Sequence, residues 1–241
     1  MQTNDRGAYR VLVGQGGEVQ RKALALRSAM FRNGADDQDG FDDSCTHCVL
    51  ERVSDARVVA TFRMLLLKNG FDVDQSYAAQ FYDLGNFGAI SGKLLEIGRF
   101  CADPDLQDPE AIRLTWTAIT DMALKHEVQL LFGCSSFHTT EPRRISAALR
   151  FLADGYLAPS DLAPAERFEE TAKLNGFPPH AHRRDALAQI PPLLKTYLKM
   201  GAWVSDHAVI DRDLGTIHVL TGLETSKIPK ARVASLKRDA G

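Results

Sequence analysis

The sequence is short of most features that would decide its class at once. No apolar run approaches the roughly 18–20 residues that a membrane span needs. The first ten residues, MQTNDRGAYR, have neither an apolar core nor a small-residue cleavage site, so no secretion signal is expected. Cysteine is scarce: four residues, at 45, 48, 101 and 134, are too few and too scattered for a disulfide scaffold and are expected to be reduced. Neither charge sign dominates. With 29 Lys and Arg against 31 Asp and Glu, the net charge of −2 supplies no field that would draw the chain onto nucleic acid. No internal repeat and no domain-separating linker is visible. A cytoplasmic α/β (or α+β) chain of 241 residues is expected, 44 % hydrophobic and long enough for one sizeable core.

What is present reads as alternating elements. Residues 9–13 form a strand candidate, and residues 17–32 a helix on which Val19, Ala23, Leu26 and Met30 recur at core spacing. Leu24, Arg27 and Phe31 make a second stripe on that helix. An acidic loop, NGADDQDGFDDS (33–44), precedes strands at 46–52 and 57–67 joined by a VSDA turn. Residues 68–93 are irregular and rich in Gly, Asn and aromatics. After a strand at 94–102, Asp108, Pro109 and Glu110 open a helix whose core face is Ile112, Trp116, Ile119 and Ala123. A buried strand at 128–137, a helical turn near 141–153 and an irregular stretch at 156–185 follow. A helix at 191–200, stopped by Gly201, and a hairpin at 207–220 are appended, and a basic tail covers 226–241. A single-domain mixed sheet flanked by helices accommodates this order.

The strand LLEIGRFCADPD (94–105) carries two charges, Glu96 and Arg99, where apolar residues are expected. Along a regular strand these two would face opposite sides. A bulge at Gly98 is expected if both serve one face. The alternative is structural pairing with charges on neighbouring strands, Arg63 for example, because a buried charge needs a partner.

Several blocks, in order along the chain, carry a family resemblance: FDDSCTH (41–47), VVATFRMLL (58–66), LLEIGRFCADPD, LFGCSSF (131–137) and IPPLLKTYLKMGAWVSDHAVIDRDLGTIHVL (190–220). Together they resemble the ornithine–acyl carrier protein N-acyltransferases that make lyso-ornithine lipid. That family is similar to the Gcn5-related acetyltransferase superfamily and, more distantly, to acyl-homoserine lactone synthases. The resemblance implies one acyltransferase domain with a core over about 9–220. It implies transfer of a 3-hydroxyacyl group from acyl carrier protein to the α-amino group of an amino acid, ornithine first and glutamine next. The donor is then the acyl-phosphopantetheine of the carrier protein, with no bound cofactor and no metal. Residue by residue it points to Arg27 and Phe31 on the first helix, Phe41, Asp42, Cys45 and His47 around the acidic loop, Arg63, and the pair Glu96 and Arg99. Cys101, Ser135 and Ser136 complete the substrate-side candidates. The turn after the fourth family strand, DPDLQDPEA, has no glycine and several acids, which disfavours a coenzyme A pyrophosphate cradle and suits a carrier-protein donor. The family's Tyr-Arg in that turn is Leu106-Gln107 here, and Phe100 stands where Ser is common.

In this reading Glu96 removes a proton from the amine, backbone N–H groups at the bulge hold the oxyanion, and Arg63 or Arg99 clamps the amino-acid carboxylate. A covalent route through Cys101 with His47 as base is the alternative chemistry. The acidic loop is read as substrate-facing, with Asp42 or Asp43 expected to meet a cationic side chain; for Asp36, Asp37 and Asp39 a solvated loop is an equal alternative. ADDQDG fails as a calcium loop because Ala35 and Thr46 would occupy ligand positions, and CTHC has no second pair for zinc. Arg143, Arg144, Arg183, Arg184 and the basic tail are the expected docking residues for an acidic carrier protein or for peripheral contact with the inner membrane; helix 191–200 is expected to pack on the sheet, with a membrane surface as the lesser alternative. PHAHRR (179–184) reads as a polar turn. The competing functions are an acyl-homoserine lactone synthase-like enzyme and an inactive acyl or carrier-protein binding module.

Overall fold

A computed structural model of the protein describes residues 2–106, 108–179 and 182–229. In chain order the elements are β1 (Gln2–Arg6), β2 (Tyr9–Gly14), α1 (Gly17–Phe31), β3 (Thr46–Arg52), β4 (Arg57–Leu67), β5 (Tyr82–Asp83), β6 (Lys93–Ala102), α2 (Pro109–Lys125), β7 (Val128–Phe137), α3 (Ser146–Gly155), β8 (Ala165–Glu166), β9 (Thr171–Lys173), α4 (Arg183–Gln189), α5 (Pro192–Lys199), β10 (Trp203–Asp211) and β11 (Thr216–Glu224). Short 3₁₀ turns fill 70–90. The chain divides into two compact units, residues 2–66 with 95–127, and residues 67–94 with 128–229.

In the first unit the strands run in the order β1-β2-β3-β4-β6. Period-2 alternation decides which helix each face of β3 receives. Val49 packs with Leu12 and with Val19 and Ala23 of α1. Its neighbour Leu50 points the other way, into Tyr9, Val59, Ala60 and α2's Ala111 and Leu114. Burying each such Leu or Val contributes about 1.5–3 kcal/mol, so one strand fixes a helix on each side. Asp108 caps α2 by accepting from the Glu110 N–H at 2.9 Å, with Pro109 at the first position. The turn between β3 and β4 is held by Arg52 forked onto Asp55 at 3.0 and 2.6 Å.

In the second unit the order is β7-β11-β10-β9, with β5 and β8 forming a separate pair. β11 lies antiparallel to β7 from Ile217↔Phe137 to Glu224↔Leu130. The terminal hairpin is therefore built into the sheet, where the sequence reading had appended it. The reason is visible in its burial: seven consecutive residues from Ile217 to Leu223 are buried, so both faces of β11 are covered. Gly222 lets this happen, since a Cβ there would come within 2.2 Å of the Trp203 ring. α5 packs through Leu194, Tyr197 and Met200, so its apolar face is occupied within the protein. Gly201, at φ 96°, ends it as expected.

Other expectations shift. The strand β1 at the N-terminus was not anticipated; its burial is slight and its residues are polar, so no period shows. On α1, Val19 and Ala23 are buried, Leu26 and Met30 only half so, and Arg27 takes the buried place instead. Ile112 of α2 is half-buried, while Trp116, Ile119 and Ala123 are in the core. Gln107 and the tail residues Lys230, Arg232, Lys237 and Arg238 lie outside the described residues, as do His180 and Ala181 of PHAHRR.

Candidate active site

The charged residues singled out in the first unit converge. Helix α1 presents Arg27, 1 % exposed, to the loop that follows it. Its guanidinium donates to Asp37 Oδ2 at 2.8 Å, to the Asp37 carbonyl at 2.7 Å and to Asp42 Oδ1 at 2.5 Å. The loop can fold inward because these donors compensate its buried carboxylates. Arg32, at the helix end, adds a 3.0 Å bond to Asp37 Oδ1.

From β4, Arg63 reaches the same cluster. It donates to Asp42 Oδ1 at 2.8 Å and to both oxygens of Asp39, at 2.5 and 2.9 Å, and lies 5.5 Å over the Phe41 ring. From β6, Arg99 donates to Asp39 Oδ2 at 3.1 Å and stands 3.7 Å from Asp37. Burial alone would raise the carboxyl of Asp42; Arg27, the Asp39 N–H and Arg63 outweigh it and hold it at about 2. Asp39 is likewise lowered, its burial outweighed by Arg63. Arg63 is raised despite its desolvation, because Asp39 and Asp42 favour its charge.

The strand irregularity is present one residue later than expected. Arg99 has φ 52°, a left-handed conformation that costs a non-glycine residue about 1–2 kcal/mol. Gly98 has no positive φ, and a Cβ there would meet only the Arg63 side chain at 3.8 Å. The break at Arg99 interrupts the alternation of β6, and its guanidinium joins the acidic loop. Glu96 is 5 % exposed and acts electrostatically on the Cys45 thiol together with Arg63, Asp42 and Asp39, so it belongs to the same neighbourhood.

Several site residues sit behind this surface. Asp42 has no exposed area and its oxygens are taken by Arg27, Arg63 and the Asp39 N–H. It therefore organises the cluster and does not face a substrate's cation. His47 is also fully buried, its Nε2–H donating to the Asp42 carbonyl at 3.0 Å. Burial lowers its pKa and keeps it neutral. Of the two alternatives for the loop, the solvated one fails for Asp37 and Asp39, which the arginines draw in. Asp39, with 22 % of its side chain exposed, is the acid of the Arg63–Arg99 cluster that reaches solvent. Its spacing three residues before Asp42 was the available signal. Phe31 is half-buried.

A scan of family models matches residues 17–117 to the acetyltransferase (GNAT) domain. An L-ornithine N(alpha)-acyltransferase of Rhodobacter capsulatus is 34 % identical over 193 residues, 78 % of this chain and 74 % of that protein. The chain belongs to the L-ornithine N(alpha)-acyltransferase family. Proteins of the same name from Rhizobium meliloti and Agrobacterium fabrum are 31 % and 30 % identical, covering 85 % and 91 % of this chain and 72 % and 75 % of theirs. Among solved structures, TofI in an apo form has a TM-score of 0.49 and 13 % identity, with 94 % of this chain and 95 % of that one covered. The protein is an acyltransferase of this family, with an α/β fold and residues 17–117 matching the GNAT domain.

In this acyltransferase Cys101 is not poised as a nucleophile. Burial pushes its thiol up to about 12, with Arg27 and Arg99 only partly offsetting it. The turn after β6 is closed by its own acids. Asp103 accepts from the Asp105 N–H at 3.0 Å and pairs with Arg57, while Asp108 takes the Glu110 N–H and the Tyr9 hydroxyl, the latter at 2.9 Å. The start of α2 is therefore covered by carboxylates. In the second unit, Ser135 accepts from the Thr221 hydroxyl at 2.9 Å, and Cys134, Ser135 and Ser136 form a half-exposed patch in mid-strand. Arg143 and Arg144, just before α3, and Arg183 and Arg184, on α4, are all exposed. α3 and α4 pack together, with Gln189 accepting from the Ala148 N–H at 3.0 Å and Arg183 lying 5.5 Å over Phe151. No helix among the described residues is long and apolar enough to cross a membrane, and no cluster of three metal-ligating residues occurs among them.

Proposed function

We propose that the protein transfers a 3-hydroxyacyl group from the phosphopantetheine thioester of acyl carrier protein to the α-amino group of ornithine, forming a lyso-aminolipid, with glutamine the second-ranked acceptor. The observation that carries this reading is a buried carboxylate, Glu96, on a core strand beside Arg63 and Arg99, in a chain belonging to this family. Glu96 takes a proton from the α-ammonium, directly or through one water. The neutral nitrogen attacks the thioester carbon, the C–N bond forms and the C–S bond breaks. As the C–S bond breaks, the nitrogen gives up its second proton and the departing thiolate takes it up and leaves as the pantetheine thiol, while Glu96 returns its proton to solvent. General-base assistance of this kind contributes on the order of 10²–10⁴-fold.

Arg99 and Arg63 suit the carboxylate of the amino acid, since a guanidinium donates to one bidentately. Asp39 accepts from both guanidinium groups. An incoming carboxylate exchanges with Asp39, which can then face the acceptor's cationic side chain. The acid-covered start of α2 supports a carrier-protein donor, because a pyrophosphate there would meet Asp108. Arg143 and Arg144, just before α3, and Arg183 and Arg184, on α4, are the docking residues for an acidic carrier protein at the membrane face of the cytoplasm. Purified protein incubated with 3-hydroxyacyl carrier protein and ornithine should release the carrier thiol and yield an N-acylated product. Binding of the carrier protein without any acylated amino acid would refute the reading and leave an acyl-carrier binding module.

A further inference from the structure

β3 opens beside the acidic loop with a residue that the proposed chemistry leaves unused. His47 has no exposed area and stands across from Arg63 of β4 and Gly14 of β2. Strand alternation puts it on the same side of β3 as Val49, the side that α1 covers. Its Nε2–H donates to the Asp42 carbonyl, which also accepts from the Cys45 N–H at 3.3 Å. A carbonyl only accepts, so the ring proton is on Nε2 and the lone pair on Nδ1. Among the described residues Nδ1 has no hydrogen-bond partner. Buried polar atoms are nearly always paired, so packing alone does not explain an imidazole at this place.

The carbonyl that His47 holds ends a closed turn over residues 39–42. The Asp42 N–H donates to the Asp39 carbonyl at 3.2 Å, and the Asp39 N–H returns to Asp42 Oδ2 at 2.9 Å. The Phe41 N–H donates to Asp39 Oδ1 at 3.0 Å, which fixes the Asp39 side chain as well as its backbone. Arg63 and Arg99 donate to that same side chain, to Oδ2 at 2.9 and 3.1 Å. Three bonds inside so short a turn couple its two ends. One end rests on His47, Arg27 and Arg63; the other presents a half-buried carboxylate to the two guanidinium groups assigned to the acceptor. All of these residues belong to the first unit. A displaced Asp42 carbonyl therefore displaces the Asp39 carboxylate. A neutral imidazole sets that carbonyl without adding a charge to the cluster, where a lysine or arginine would add one.

We infer that His47 is a positioning residue for the amino-acid acceptor: through the Asp42 carbonyl it sets the 39–42 turn, and with it the Asp39 carboxylate between Arg63 and Arg99. The inference rests on the proposed acyl transfer and adds to it the residue that holds the acceptor side in place. His47→Leu keeps the bulk and removes the donor, whereas His47→Gln carries an N–H at about the same reach. His47→Asn, polar but too short for the Asp42 carbonyl, makes the same comparison if the leucine variant does not fold. Cys48→Ala, buried on the opposite face of β3, weakens the same strand without touching the turn. For each protein kcat, KM for ornithine and KM for the acyl carrier protein are measured, with Tm beside them. The expected result is an ornithine KM raised on the order of 10-fold in His47→Leu and His47→Asn, with kcat and the carrier-protein KM changed no more than a few-fold. His47→Gln should recover most of the ornithine KM, and Cys48→Ala should lower Tm and leave it unmoved. An ornithine KM unchanged in the folded variants, or raised equally by Cys48→Ala, overturns the inference and leaves acyl transfer standing. So does a fall in kcat with the ornithine KM unmoved. No acylated product from the wild type removes the transfer reading, and this inference with it.

Discussion

The most exposed consequence of the charged cluster is that Asp42 is structural, and Asp42→Asn measures it. The carboxylate is inaccessible and receives Arg27 at 2.5 and 3.2 Å, Arg63 at 2.8 Å and the Asp39 N–H at 2.9 Å. Removing one partner of a buried pair typically costs 3–5 kcal/mol. Here Arg27 keeps Asp37 and Arg63 keeps Asp39, so the lower end, about 3 kcal/mol, is expected. Displacement of the Asp42 carboxyl from 3.8 to about 2 corresponds to about 2 kcal/mol, consistent with that figure. For a chain of this size the loss lowers Tm by roughly 6–12 °C. The pH dependence has a definite sign. The folded carboxyl titrates below the unfolded one, so its contribution is complete above about pH 4 and is lost as pH falls toward 2. Urea unfolding of wild type, Asp42→Asn and the exposed-site control Asp36→Asn at pH 7 and pH 3 reads all of this. The gap between wild type and Asp42→Asn should narrow at pH 3. A difference at pH 7 no larger than that of the control, within about 0.5 kcal/mol, refutes the assignment.

Two further outcomes follow from the chemistry. Glu96→Gln should lower turnover at neutral pH by on the order of 10²–10⁴-fold, read as carrier-thiol release; full turnover would remove Glu96 from the base role. Cys101→Ala should retain transfer within a few-fold and show no acyl-enzyme by mass, because burial holds that thiol at about 12; a trapped thioester on Cys101 would reverse this.

The fold was legible where the period is strong. Strands 46–52 and 57–67 and the capped start of α2 needed only alternation and an Asp-Pro-Glu signal. Where burial is uniform or slight, period vanishes, so β1 and the full extent of β11 did not show. The two charges in β6 were legible as an anomaly; spacing could not show their cluster, which the family resemblance alone suggested, because it is assembled by arginines reaching from α1, β4 and β6 to one loop. Asp37 and Asp39 look solvated in sequence; only tertiary donors make their burial affordable. The backbone break fell on Arg99 where glycine was the natural guess, since conformational permission in the sequence does not say which residue carries the strain. His207 and His218 carried the same anomaly as Glu96, a polar residue within a largely apolar run.

The central claim is α-N-acylation of ornithine from a carrier-protein thioester. Tandem mass spectrometry of the product formed from 3-hydroxyacyl carrier protein with ornithine and glutamine in competition tests it most directly. The account predicts a 3-hydroxyacyl group on the α-nitrogen of ornithine in the main product. An acyl group on another nitrogen, a lactone product, or no acylated amino acid at all would contradict it.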